Sequence, residues 1–291
     1  MALAQTTWVR ERILDHFPDA EVTVKIIKIS ADKDQITSIR SGSAIGVFVK
    51  ELEQALLSEE IDLAVHSMKD LPTQIPEELQ IAAIPVREDP RDVLISRNSK
   101  KLAALAQNAL IGTGSIRRQA QLLALRPDLK ILDIRGNIDT RLNKLKTGSY
   151  DAIILACAGL NRLGLQNEIS DILNFEEMLP APGQGALAIE TRKDDLRTTS
   201  FASALNHEPS FAAVLAERAF LQRMGGGCNV PVAVYARAIR DSLTIEGLVA
   251  SPDGTQIIRD SVQNKLESAN EAAVALADGI LARGGRSILN L

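Results

Sequence analysis

A chain of 291 residues is long enough for two or three domains with cores of their own. Apolar residues make up 45% of it and charged ones 24%, as in ordinary globular proteins, and 3% aromatics leave the cores to Leu, Ile, Val and Ala. The net charge of −4 argues against a general nucleic-acid binder, and no apolar run approaches the roughly 20 residues that cross a bilayer.

The amino-terminal stretch is amphipathic through Leu3, Trp8 and Ile13, and is already charged at Trp8-Val-Arg-Glu-Arg. That is not a signal-peptide pattern, and two cysteines imply no disulfide framework, so a reducing, cytoplasmic setting is expected. A strand is expected at Val22–Ile29. A helix follows at Gly46–Ser58, with Phe48, Leu52, Ala55 and Leu56 on one face and Lys50, Glu51 and Glu53 toward water. Strands are then expected at Ile61–His66, Gln80–Pro85, Ala109–Gly112, Lys130–Ile134 and Asp151–Ala156, with helices at Arg117–Leu125 and Thr140–Lys146. Short apolar runs alternating with amphipathic stretches predict α/β domains with mainly parallel sheets. Two punctuated stretches, Arg87–Asp92 and Leu179–Gly185, read as crossings of a chain that leaves one α/β lobe and returns to it, giving two lobes and a cleft.

Beyond about residue 205 the texture changes. A helix at Ser210–Arg223 precedes strands at Val232–Ala238, Leu243–Ala250 and Gln256–Val262 and a helix from about Ser268 to Arg283. Ser251-Pro-Asp-Gly254 suits a hairpin turn between the last two strands. The expected division is 1–86 with 186–204, then 87–185, then a small α+β domain at 205–291.

Gly112-Thr-Gly-Ser-Ile-Arg-Arg118 follows a strand and opens a helix, with Ser115 as its cap and free N–H groups that favour an anion. Arg117 and Arg118 stand in the first turn, where the helix dipole disfavours a cation and a bound anion would offset the cost. The same arrangement recurs at Arg135-Gly-Asn-Ile-Asp-Thr-Arg141, with Asn137 or Asp139 as cap. Ligands of open α/β sheets bind at such strand ends, and guanidinium forks suit carboxylates. The alternative is a solvated arginine cluster. His66-Ser-Met-Lys-Asp70 places Ser67, Lys69 and Asp70 just past another strand, where a carboxylate can stabilise a cation or shuttle a proton, or can merely pair with Lys69. His66 fits a packed strand end better than a metal ligand. In Gly225-Gly-Gly-Cys-Asn-Val-Pro231 the glycines clear space around a thiol, which makes Cys228 either an attachment point or a small buried residue in a tight turn. Cys157, inside an apolar run, reads as core.

Taken in order, Phe48–Glu53, His66–Asp70, Arg87–Asp92, Gly112–Arg118, Arg135–Arg141, Leu179–Gly185 and Gly226–Cys228 resemble the hydroxymethylbilane synthase (porphobilinogen deaminase) family along the whole chain. The resemblance implies two lobes like those of periplasmic binding proteins plus a C-terminal domain, and an enzyme that joins four porphobilinogens into a linear tetrapyrrole. It implies a dipyrromethane cofactor joined to Cys228 through a thioether, catalysis by Asp70, and binding of cofactor or substrate carboxylates by Arg117, Arg118, Arg135 and Arg141. Ser67, Lys69, Thr113 and Ser115 would line the same cleft, with Gln184 on the returning crossing. It also implies a monomer with a small-molecule substrate and neither nucleic acid nor membrane as partner. Two departures stand out: the family's first strand, bearing an Arg and a Ser, is missing from the first lobe, and Ile45 stands where a lysine is typical. Other readings are a non-enzymatic two-lobed anion-binding module and an inactive, truncated family member.

Overall fold

The computed structural model describes residues 1–27, 44–225 and 230–291. In chain order the principal elements are helices α1 (Ala2–His16) and α2 (Ala44–Leu57), and strands β1 (Leu63–Ser67), β2 (Leu79–Ala83), β3 (Asp92–Ser96) and β4 (Leu110–Gly112). Helix α3 (Ile116–Leu125), strand β5 (Lys130–Leu132), helix α4 (Ile138–Lys146), strand β6 (Ala152–Ala156), helix α5 (Cys157–Asn161) and strand β7 (Asp171–Ile172) come next. The chain continues through β8 (Leu187–Arg192), α6 (Leu196–Ser203), α7 (Glu208–Arg223), β9 (Val232–Ile239), β10 (Ser242–Ala250), β11 (Ile257–Lys265) and α8 (Ala269–Ile280). Backbone contacts gather these into two compact units, Met1–Arg87 with Ala186–Phe211, and Glu88–Gly185 with Ala212–Leu291.

The first unit holds a sheet of order β1-β8-β2, in which β8 runs antiparallel to both neighbours. One apolar cluster joins Val9 and Ile13 of α1 to Ala83, Leu187 and Ile189. Helix α1 buries Gln5, Val9 and Ile13, one residue per turn, while Leu3 and Trp8 stay exposed, so its buried stripe differs from the expected one. Helix α2 likewise buries Val49, Ala55 and Leu56 and turns Phe48 outward, because Val49 rather than Phe48 lies in register with Leu56.

The strand expected at Val22–Ile29 does not form over its described part. Residues 21–27 carry no ladder, and Val24 and Ile26 are exposed. Residues 28 and 29 lie outside the described residues. Alternation alone cannot make a strand, which needs a neighbouring edge for its N–H and C=O groups. Among the described residues β1 bonds to β8 alone. The segment is instead tied by side chains: Arg10 Nε donates to the Val22 carbonyl at 2.9 Å, and Lys25 pairs with Glu60 at 3.1 Å.

The second unit contains a five-stranded sheet of order β5-β4-β6-β3-β7. Strands β5, β4 and β6 are parallel, while β3 runs against β6 and β7. The sheets are therefore mixed where mainly parallel ones were expected, because β3 and β8, which enter directly from the two crossings, run against their neighbours. Apolar residues fill both faces of this sheet, Leu94, Ile111, Leu122 and Ile154 on one and Val93, Ile95, Ile153 and Leu155 on the other.

The same unit carries the antiparallel sheet β11-β10-β9, covered by α7 and α8 through Phe220, Val234, Ile245, Ala273 and Ile280. Its hairpin closes at the expected turn, where Gly254 N–H donates to Ser251 O at 2.9 Å and Gly254 takes a positive φ of 72°. Phe175 stacks on Tyr235 with centroids 4.2 Å apart, and Arg259 donates to the carbonyls of Phe175 and Glu176.

Candidate active site

Strand β1 ends at Ser67, and the chain turns at once through Met68–Asp70. Buried Met68 pins the turn, its N–H donating to Ala186 O at 3.0 Å. Ser67 Oγ accepts from Gln5 Nε2 at 2.8 Å, which ties α1 to the strand end. Asp70 is partly buried and lines a cavity of about 1490 Å³ within the first unit, together with Gln5, Val65, Ser67 and Phe201. Burial pushes the Asp70 carboxyl above its ordinary range, and the neighbouring Lys69 and His66 pull it partly back. His66 is a packed strand-end residue, its Nε2 2.9 Å from Oε2 of fully buried Glu190.

In the second unit β4 delivers Thr113, whose N–H donates to Leu132 O at 2.9 Å. Thr113 Oγ1 accepts from Ser115 N–H, and Ser115 Oγ caps α3 by accepting from Arg118 N–H at 3.4 Å. Gly114 runs close to the next strand end, where a Cβ would stand 2.8 Å from Asp133 Oδ1 and 3.3 Å from Ile134 O. Asn137 caps α4, its Oδ1 accepting from Thr140 N–H at 2.8 Å.

The four arginines separate into two kinds. Arg117 and Arg118 are buried, and both meet Asp92, Arg117 Nη1 at 2.8 Å from Oδ2 and Arg118 Nη2 at 2.7 Å from Oδ1. Arg117 also donates to Leu179 O, and Arg118 to Ile154 O. Burial alone would raise the Asp92 carboxyl, but the two guanidiniums hold it well below the usual carboxylate range. Two cations on one carboxylate leave one positive charge uncompensated within the trio. Arg135 is exposed and donates to Asp133, while partly buried Arg141 donates to Gly136 O at 2.8 Å. Burial and the nearby charge of Arg118 both disfavour the Arg141 cation, as expected where positive charge is gathered. Gln184 is also buried, its Nε2 donating to Pro90 O at 2.7 Å and to Asp92 Oδ1 at 2.9 Å.

Cys228 lies outside the described residues, as does Ser43; Ile45 falls at the start of α2. The described flanks of Cys228 are buried Met224 and exposed Gly225 on one side and partly buried Val230 and buried Pro231 on the other. Cys157 is core as expected, and burial pushes its thiol up to about 11, which leaves it a poor nucleophile at neutral pH. Asp92 was missed as a site residue because Arg87–Asp92 read only as a crossing. Its signal is an acid at the first position of a strand in the same sheet as the arginine-bearing strand end. The donor set fits a carboxylate-rich group: buried and half-buried guanidiniums, capping hydroxyls and strand-end N–H groups, with net positive charge at the Arg117–Arg118–Asp92 trio. Among the described residues no group of three or more His, Cys, Asp or Glu side chains could hold a metal, and no helix is long and apolar enough to cross a membrane.

Residues 1–200 match the family model "Porphobilinogen deaminase, dipyromethane cofactor binding domain", and residues 211–282 match "Porphobilinogen deaminase, C-terminal domain". The porphobilinogen deaminase of Thermus thermophilus is 48% identical over 99% of this chain and 95% of its own length. That of Syntrophomonas wolfei is 48% identical over 99% of this chain and 94% of its own length. Among solved structures, the probable amino-acid transporter extracellular-binding protein ytmK of Bacillus subtilis aligns at 12% identity and a TM-score of 0.41, over 69% of this chain and 79% of that one.

Proposed function

The chain belongs to the porphobilinogen deaminase family, and from that premise we propose that Asp70 is its catalytic residue and that Arg117, Arg118, Arg135 and Arg141 take the carboxylates of cofactor and substrate. The reaction joins four porphobilinogens, with release of ammonia, into the linear tetrapyrrole hydroxymethylbilane, and the cofactor is dipyrromethane. When bound, that cofactor supplies the pyrrole α-carbon to which the first substrate is joined.

Loss of ammonia from porphobilinogen leaves a cationic azafulvene. Asp70, held in a turn and partly withdrawn from water, supplies the opposing charge and can give or take a proton at its carboxyl. Its raised protonation range supports the second role. Porphobilinogen brings two carboxylates per ring, so an elongating product carries growing negative charge. The guanidiniums and Lys69 offset that charge, and Ser67, Thr113 and Ser115 add hydroxyl donors, in a protein of net charge −4.

The observation that carries the reading is the Arg117–Asp92–Arg118 trio, a fixed, net-positive constellation at the end of β4. Cys228 is the proposed cofactor attachment; the buried, poorly ionising Cys157 supports that assignment. The proposed organisation is a first lobe at 1–86 with 186–204, a second at 87–185 and an attachment domain at 205–291, in a cytoplasmic monomer. The test is to incubate the purified protein with porphobilinogen and follow ammonia and tetrapyrrole together. Both should appear at a ratio of four to one; binding without release of ammonia would favour the anion-binding module.

A further inference from the structure

Two buried acids, Asp92 and Glu217, are connected by hydrogen bonds through the Gly183–Gln184 peptide link. Glu217 is in the middle of α7 and 0% exposed. Its Oε1 accepts from Ala236 N–H of β9 at 2.8 Å, and its Oε2 accepts from Gly183 N–H at 2.6 Å. Gly183 takes a positive φ of 70° that suits glycine, and the next residue, Gln184, is 1% exposed. The Gln184 amide donates to Asp92 Oδ1, and Asp92 holds Arg117 and Arg118. Every member lies in the second unit. Helix α7 and strand β9 are also the two elements that flank the cysteine loop.

We propose that Glu217, Gln184 and Asp92 are positioning residues acting as one set, which fixes the Arg117–Arg118 pair relative to the two elements that carry the cofactor loop. Gln184 then serves substrate through Asp92 rather than by touching it. The physical basis is rigidity. The carboxyl oxygens of Glu217 and Asp92 each meet specific N–H groups, so a shift of the crossing segment would strand a carboxyl oxygen or a guanidinium N–H away from water. The set thereby holds the guanidiniums to one geometry while the bound chain lengthens. The proposal rests on the reading of Arg117 and Arg118 as carboxylate-binding.

The test compares Glu217→Gln, Gln184→Leu, the double variant and Arg141→Gln as holoenzymes, assayed well below each melting midpoint. Glu217→Gln keeps the shape of the side chain but can accept only one of the two N–H groups through its oxygen. Gln184→Leu cuts the path without leaving a new charge. Each single change should raise KM for porphobilinogen several-fold with a smaller change in kcat. The double should raise KM no further than the larger single effect, falling short of the product of the singles by a several-fold factor, since both break one path. Simple multiplication of the two effects, or lower melting points with KM unchanged, would overturn the proposal. Should Glu217→Gln not fold, Gln184→Leu decides alone. It should speed amide exchange at Ala236, on the far side of Glu217, and unchanged exchange there overturns the coupling. Arg141 lies outside the path. If Arg141→Gln also leaves KM unchanged, the carboxylate reading of the arginines has failed; if it alone raises KM, only the positioning proposal has failed.

Discussion

At the scale of single residues the two acids behave oppositely, and each gives a sign that can be measured. Asp70 is destabilised as an anion, chiefly by burial. The folded chain therefore holds this proton more tightly than the unfolded one, and stability falls as pH rises beyond the ordinary carboxylate range of about 4. Asp70→Asn should melt higher than the parent at about pH 7, lose that advantage at about pH 3, and cut turnover by about 10² to 10³. Near-normal turnover would make Asp70 structural. Asp92 is shifted down by its two guanidiniums, so its contribution is present above the ordinary range and fades as the pH drops below about 4. Asp92→Asn should cost about 3–5 kcal/mol in urea unfolding near neutral pH, because it leaves buried guanidiniums short of charge. A loss below about 1 kcal/mol would show that water or the neighbouring carbonyls compensate.

At this scale much of the site was legible from local sequence. Ser115 and Asn137 cap as expected, and His66 and Cys157 are packed. What sequence could not supply was the partner of a buried charge. Arg117 and Arg118 meet an acid about 25 residues upstream, and no periodicity reports a contact between the first turn of a helix and the start of a distant strand.

At the scale of elements, the strands with clear turn signals and the C-terminal hairpins were readable within a few residues. Strands β3, β7 and β8 were not, since β3 and β8 emerge from segments that read as crossings and β7 is two residues long. Val22–Ile27 shows the reverse failure: it has the alternation of a strand but no ladder, because pairing needs an edge that local pattern cannot provide.

Packing within the C-terminal sheet gives a paired test. A Cβ on Gly247 of β10 would strike the ring of fully buried Phe220, so Gly247→Val should destabilise by about 1–3 kcal/mol. Gly279 of α8 has nothing within 4 Å of such a Cβ, and Gly279→Ala should instead stabilise by about 0.5–1 kcal/mol. Thermal or urea unfolding of the two variants reads both signs.

At the scale of the whole molecule, an acidic chain gathers cations where the proposed function holds a polycarboxylate. Composition argued against a general nucleic-acid binder but could not reveal this local excess, which arises at strand ends in one sheet. The proposed function joins carboxylate binding by that sheet to a thiol in the segment between α7 and β9. The most direct measurement is the intact mass of protein made in cells supplied with porphobilinogen, followed by peptide mapping. The account predicts an addition of two pyrrole units located on Cys228, kept in Cys157→Ser and lost in Cys228→Ser. Folded protein with an unmodified Cys228, or an addition that maps to Cys157, would contradict it.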